Sequence, residues 1–175
     1  MFNPICSALF LDRDGVINYR LPNDYVKNIE QFVLMPGVVE ALAALQPLFA
    51  RIIVVTNQQG VGKGLMTEVD LEAIHAEMLR KLPMIDRVYH CSALATAQHP
   101  DRKPNIGMAL KAARDFPEID LGASIMIGDT ATDIEFGKRA GMKTLHFGNE
   151  PLPVDLKADF HASNWQEVVE LLLVR

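Results

Sequence analysis

The apolar run Ala8-Leu9-Phe10-Leu11 stops at Asp12, and Arg13, Asp14 and Gly15 follow at once. A short apolar run without alternation is what a strand buried on both faces requires, and such strands belong to parallel sheets covered by helices. Ligands of open α/β sheets bind outside the carboxyl ends of the strands. Two carboxylates at i and i+2 with an arginine between them suit a divalent cation, a nucleophile and a proton shuttle, and they make a poor core. A strand ending in a solvated turn is the plainer alternative, because Asp and Gly are ordinary turn residues. So short a motif needs the right strand context and support from elsewhere in the chain.

Strand-like and helix-like segments alternate after it. Ile5–Leu11 reads as the first strand, and Pro36-Gly37 opens an apolar-periodic helix through Leu48 with proline in the favoured first turn. Residues 52–55 are β-branched throughout and form the clearest strand. Thr67 with Asp70 has capping-box spacing, and the helix it opens runs to Leu82 with Leu71, Ile74, Met78 and Leu82 on one face. Strands at 88–90, 124–127 and 143–147 and helices at 106–116, 132–140 and after Ser163 or Asn164 complete the series, with Gly141 as a C-cap. The alternation predicts an α/β fold, a Rossmann-like three-layer sandwich about a mostly parallel central sheet. Residues 19–34 form the one long irregular stretch, a length that loops reach when they serve a site.

At 175 residues, 49% of them hydrophobic, the chain suffices for one well-buried domain spanning 1–175 and is short for two. A net charge of −5 with no Lys/Arg cluster argues against a nucleic-acid partner. Apolar runs such as 171–174 are too short to span a bilayer, and Met1-Phe2-Asn3-Pro4 lacks the basic-then-apolar pattern of a secretory signal. Cys6 and Cys91 make no disulfide framework and suit reduced thiols. The expectation is a cytoplasmic protein, a monomer, with no membrane partner.

Three more strand ends carry polar clusters. Thr56-Asn57-Gln58-Gln59-Gly60 follows Val54-Val55 and offers hydroxyl, amide and backbone donors to phosphate oxygens, though alone it would pass for a turn. Arg102-Lys103-Pro104 precedes a helix and sets a planar cation beside a point charge, a pair suited to a phosphorylated ligand. In Gly128-Asp129-Thr130-Ala131-Thr132-Asp133, Asp129 stands at a strand tip and Asp133 at i+4 in the helix start, where aspartate also serves as a cap. Gly60-Val61-Gly62-Lys63-Gly64 has a superficial P-loop look but has Asn57 at the first glycine position and Gly64 after the lysine. A flexible loop beside the site, with Lys63 near the ligand, is the better reading. His75, His146 and His161 show no ligand spacing, and His75 reads as a helix-surface residue.

Taken in order, these four clusters resemble the four signatures of the haloacid-dehalogenase (HAD) superfamily of phosphohydrolases, over about Ala8 to Phe147. The closer likeness is to the bacterial phosphatases acting on D-glycero-D-manno-heptose-1,7-bisphosphate and to the histidinol-phosphate phosphatase domain. It is carried by DRDGVIN, TNQQG, RKP and GDTATD, and by Asp24-Tyr25-Val26, Phe32 and Pro36-Gly37-Val38.

The resemblance implies a HAD fold without a large cap domain and a magnesium-dependent phosphomonoesterase for a small phosphorylated metabolite. It implies that Asp12 attacks phosphorus to form an aspartyl-phosphate, and that Asp14 protonates the leaving oxygen and then deprotonates water. Asp12, the backbone carbonyl of Asp14, and Asp129 are the implied magnesium ligands. Thr56 and Lys103 are the implied phosphoryl contacts, and Asp133 supports Lys103 or a metal-bound water. Asn57, Gln58, Gln59, Arg102 and the loop from Arg20 through Asp24 to Tyr25 are candidates for holding the rest of the substrate. Asp12 and its target are both anionic, so magnesium and a lysine are needed to offset their repulsion.

Two departures bear on specificity. Those relatives bind a structural zinc through a Cys-x-His pair and a later Cys-x-Cys, whereas here Ser92 and Ala93 follow Cys91 and no cysteine precedes Arg102. His90, Cys91 and His99 remain, but strand neighbours point to opposite faces and a structural zinc takes four ligands, so no structural zinc is expected. Thr130 stands where heptose phosphatases often carry lysine. The substrate is therefore open between a heptose bisphosphate, histidinol phosphate and other small metabolites. A phosphotransferase would use the same intermediate, and a non-catalytic phosphosugar-binding module would have no need of both Asp12 and Asp14.

Overall fold

In the computed structural model, which describes residues 6–173, the elements follow one another as β1 (Cys6–Leu11), α1 (Val38–Leu45), β2 (Phe49–Asn57), α2 (Gln59–Gly62), α3 (Glu68–Lys81), β3 (Arg87–Cys91), α4 (Gly107–Asp115), β4 (Ile125–Gly128), α5 (Ala131–Arg139), β5 (Lys143–Phe147), β6 (Phe160–Ala162) and α6 (Trp165–Leu173). Residues 1–5, which include the expected strand start at Ile5 and the segment read for a secretory signal, lie outside the described residues, as do 174–175.

Along β1 the side chains alternate between two cores. Leu9 and Leu11 join one, and Ala8 and Phe10 join the other, all without solvent exposure. A strand buried this way needs a helical layer on each side. The first face is covered by Val38 and Leu42 of α1, by Leu71, Ile74 and Met78 of α3, and by Trp165 and Val168 of α6. The second is covered by Met108, Ala109 and Ala112 of α4 and by Phe136 of α5. Each fully buried large aliphatic or aromatic side chain contributes about 1.5–3 kcal/mol. The Trp165 indole also donates to Val16 O (2.9 Å), tying the last helix to the turn that follows β1.

All six strands form one parallel sheet in the order β3-β2-β1-β4-β5-β6. The chain first builds outward from β1 through β2 and β3, then returns to place β4 on the other side of β1. The carboxyl ends of β1 and β4 therefore frame the crevice where ligands bind in sheets of this kind.

The expected elements are present, with local differences. Pro36 lies outside its helix: Gly37, in the left-handed conformation (φ +78°), is the N-cap and turns the chain into α1. The Gly60–Gly64 stretch is not wholly loop, because α2 supplies one helical turn. Strand β6, three residues long and paired among the described residues with β5 alone, is not among the strands that the sequence predicts. At Thr67 the capping box forms as its spacing implies, with Thr67 N donating to Asp70 Oδ2 (2.8 Å) and Asp70 N to Thr67 Oγ1 (3.1 Å). Among the described residues no helix is long and apolar enough to cross a membrane.

Candidate active site

The ladder between β1 and β4 extends one step past the strand: Asp12 N donates to Ile127 O (3.0 Å). The chain then folds back, with Arg13 O accepting from Ile17 N (2.8 Å) and Gly15 N donating to Asn18 O (2.7 Å). Gly15 sits at φ +93°, and a Cβ there would run into the Asp129 carboxylate. Glycine thus meets two demands, a left-handed turn and the close approach of the two strand ends. At the tip of β4 a Cβ on Gly128 would likewise collide with the Asp133 side chain.

Asp12, Asp129 and Asp133 each place a carboxylate oxygen within 4.8 Å of the others. Like charges at that range repel by about 3–4 kcal/mol per pair at an effective dielectric of about 20. Lys103 offsets this, its Nζ lying 2.8 Å from Asp12 Oδ1 and 2.6 Å from Asp133 Oδ1. The lysine is itself clamped by Asn57, whose Oδ1 accepts from Lys103 N (3.0 Å) and whose Nδ2 donates to Lys103 O (3.1 Å). The second oxygen of Asp133 accepts from Thr130 N (3.0 Å) and Thr130 Oγ1 (2.6 Å). Arg20 closes the outer edge, 2.6 Å from Asp129 Oδ2. Burial, followed by the charge of Asp133, pushes Asp12 up to about 6; burial, then Asp12 and Asp133, pushes Asp129 up to about 8. Burial works to lower the pKa of the Lys103 ammonium, but the charges of Asp12 and Asp133 outweigh it and raise the pKa, so the lysine stays charged.

Asp14 differs from these in its surroundings. Its two oxygens accept from Arg13 Nη2 (3.0 Å each), Asn18 Nδ2 (2.9 Å) and Gln58 Nε2 (2.8 Å), and these donors hold its pKa down although burial opposes them. Gln58, expected among the pocket-lining residues, is instead buried behind the site, where it also donates to Thr56 Oγ1 (2.8 Å). Thr56 is buried beside it at the end of β2. His75 is a further correction: it is buried, not on the helix surface, with Nε2 3.2 Å from Arg13 Nη1.

The cleft over these groups has Asp12, Asp14, Asn57, Lys103, Thr130 and Asp133 in its floor, and Arg20, Leu21, Asp24, Tyr25 and Val26 of the long loop in its wall. Tyr25 is latched to α2, since Gln59 Nε2 and Lys63 Nζ both donate to its hydroxyl (2.9 Å each). Gln59 and Lys63 therefore act on the loop and do not line the cleft. Asp24 pairs with Lys27 (2.8 Å). Arg102 is turned aside, donating from Nη1 to Ala93 O (2.9 Å), and borders a neighbouring depression with Gln98, Asn105 and Thr132.

Residues 101–149 match the HAD-hydrolase-like family model. A D-glycero-alpha-D-manno-heptose-1,7-bisphosphate 7-phosphatase of Mycobacterium bovis is 42% identical over 132 residues, covering 73% of this chain and 70% of the relative. The chain belongs to the HAD phosphatase family. A second relative, the D-glycero-beta-D-manno-heptose-1,7-bisphosphate 7-phosphatase of Rhodopseudomonas palustris, is 37% identical over 163 residues, covering 86% of this chain and 88% of the relative. Among solved structures, the D,D-heptose 1,7-bisphosphate phosphatase of B. bronchiseptica, complexed with magnesium and phosphate, matches with a TM-score of 0.83 at 28% identity, over 96% of this chain and 98% of that one.

The donors of this HAD phosphatase fit a hard divalent cation. They are all oxygens, they carry an excess of negative charge, and Asp129 Oδ1 is buried with no hydrogen-bond partner among the described residues. Both oxygens of Asp133 are already engaged, which suits a supporting place. The residues left in the zinc-loop region do not fit zinc. Cys91 Sγ faces His99 Nδ1 at 3.6 Å, while His90 points away to Glu68 Oε2 (3.1 Å), so the three do not converge.

Proposed function

We propose that this HAD phosphatase removes the 7-phosphate of D-glycero-D-manno-heptose-1,7-bisphosphate through an aspartyl-phosphate on Asp12. The observation that carries the reading is the convergence of Asp12, Lys103, Asp129 and Asp133 at the switch point of the sheet. Relatives named for this substrate support it, and the higher identity to the alpha-named one puts the alpha anomer first.

In the first step an Asp12 oxygen attacks phosphorus, the bond from phosphorus to the sugar oxygen breaks, and Asp14 gives that oxygen its proton, so it leaves as an alcohol. In the second, a water oxygen attacks the same phosphorus, Asp14 takes the proton, and the bond to Asp12 breaks. Inorganic phosphate leaves and both carboxyl groups return to their starting states. Arg13 favours the ionised Asp14 that the second step needs. An arriving phosphoryl dianion repels that charge and favours the protonated form that the first step needs. Lys103, held by Asn57, neutralises phosphoryl oxygens as charge moves, with Thr56 assigned beside it. Magnesium, held by Asp12, Asp129 and the Asp14 carbonyl, would offset the repulsion between Asp12 and its target. Arg20, Asp24 and Tyr25 contact the sugar. A cytoplasmic enzyme accords with the free, buried thiol of Cys91.

The test is phosphate release in magnesium from both heptose bisphosphate anomers and from histidinol phosphate, by wild type and Asp12→Asn. Turnover of a heptose bisphosphate by wild type and none by Asp12→Asn is expected. Turnover of histidinol phosphate alone, or equal rates for the two proteins, would overturn the reading.

A further inference from the structure

Asp14 is gripped from behind by buried groups that no bond-making step uses. Arg13, wholly buried, reaches both Asp14 oxygens through Nη2. A buried guanidinium is costly unless its donors are met. Its Nη2 also lies 3.3 Å from Gln58 Oε1, and its Nη1 lies 3.2 Å from His75 Nε2, on α3. Arginine only donates, so Nε2 of His75 accepts and the ring is neutral; burial first, then Arg13, keeps its pKa at about 3. The ring packs against His90 (centroids 5.6 Å apart), and His90 Nε2 lies 3.1 Å from Glu68 Oε2. On the other side, Gln58 Nε2 donates to Asp14 Oδ2 (2.8 Å).

We infer that His75 and Gln58 are positioning residues for the acid–base steps: His75 fixes the Arg13 fork, and Gln58 fixes the second oxygen of Asp14. This inference rests on the phosphatase reading above. An arginine side chain is long and rotatable, and without an acceptor at Nη1 its fork is free to turn and take the Asp14 carboxyl with it. A misplacement of about 1 Å costs about a hundredfold in a reaction that depends on alignment. The loss should fall on the two proton transfers; the water attack of the second step needs Asp14 whatever the substrate, so it is the first step that separates two kinds of leaving group. An alkoxide leaving from a sugar needs the proton, whereas a nitrophenolate leaves without it. A merely structural defect would slow both substrates alike.

The experiment compares the single-turnover rate of leaving-group release, with enzyme in excess, for a heptose bisphosphate and for p-nitrophenyl phosphate in wild type, His75→Leu, His75→Gln and Gln58→Leu, with thermal melts to confirm folding. For His75→Leu and Gln58→Leu, the rate of sugar release should fall about tenfold or more, up to the 10²–10⁴ that acid–base catalysis supplies. On the aryl phosphate the rate of nitrophenolate release should change less than about twofold. His75→Gln, whose amide oxygen can accept from Arg13, should recover most of the loss. If His75→Leu does not fold, Gln58→Leu carries the same comparison. Equal losses on both substrates, or none on either, would overturn the inference while leaving the phosphatase reading intact. Wild-type turnover of neither substrate would overturn both.

Discussion

The position that a Gly15 side chain would take is filled by the Asp129 carboxylate. The tip of β1 and the tip of β4 meet there, and only one of the two residues can carry a side chain. Gly15→Ala should lose about 1–3 kcal/mol to backbone strain at φ +93°, and more to the displacement of Asp129. At about 2–4 °C per kcal/mol for a chain of this size, the melting temperature should drop measurably. Stabilisation by magnesium should shrink with it. A melt superimposable on wild type, with and without magnesium, would contradict this packing.

Lys103 is the charge that lets Asp12 and Asp133 lie side by side. Removing one partner of a buried ion pair costs about 3–5 kcal/mol, so Lys103→Met should be destabilised on that scale in urea at pH 8. The cost should be smaller at pH 5, where protonation relieves the unpaired carboxylates. An equal cost at both pH values would show that the lysine acts through packing alone.

Asp129 sets an alkaline dependence. Its folded pKa, about 8, is raised above its ordinary value of 3.8. The stability it contributes is therefore fully present below 3.8 and is lost as pH rises through 8. His75 works in the opposite sense. Held at about 3 against an ordinary 6.5, it contributes stability above 6.5 that is lost as pH falls towards 3. Metal-free protein should therefore lose up to about 1.4 kcal/mol per pH unit from pH 7 to 8. Asp129→Asn should flatten that loss, and saturating magnesium should cancel it. Chelated wild type with constant stability across this window would refute the assignment.

Tyr25 joins the cleft wall to α2 by two hydrogen bonds, one of them from the exposed Lys63. Such bonds contribute about 0.5–1.5 kcal/mol each. Tyr25→Phe should raise KM several-fold and leave kcat nearly unchanged, the pattern of lost ground-state binding. Steady-state kinetics decides it; a fall in kcat at constant KM would place Tyr25 in the chemistry.

The site's carboxylates were legible because the physics that makes them unusual is local. A β-branched or apolar run that stops at acid and glycine announces a strand end, and strand ends of a doubly wound sheet share one rim. What the sequence hid is non-local. His75 occupies the i+4 place of the apolar stripe begun at Leu71, so a polar residue on the core face was the signal that it needed a buried partner. That partner, Arg13, lies 62 positions away, and no periodicity reports it. Gln58 reads as a ligand contact because it lies among hydroxyl and amide donors that follow a strand; its burial comes with the bond it donates to Asp14, which no local pattern reports. β6 escaped for a simpler reason, since three residues are too few to show a period.

The most direct measurement is rapid acid quench of the enzyme during turnover of 32P-labelled heptose bisphosphate in magnesium, followed by peptide mapping. The account predicts transient label on the peptide bearing Asp12, absent from Asp12→Asn. Full turnover with no label on that peptide, or label on another residue, would contradict it.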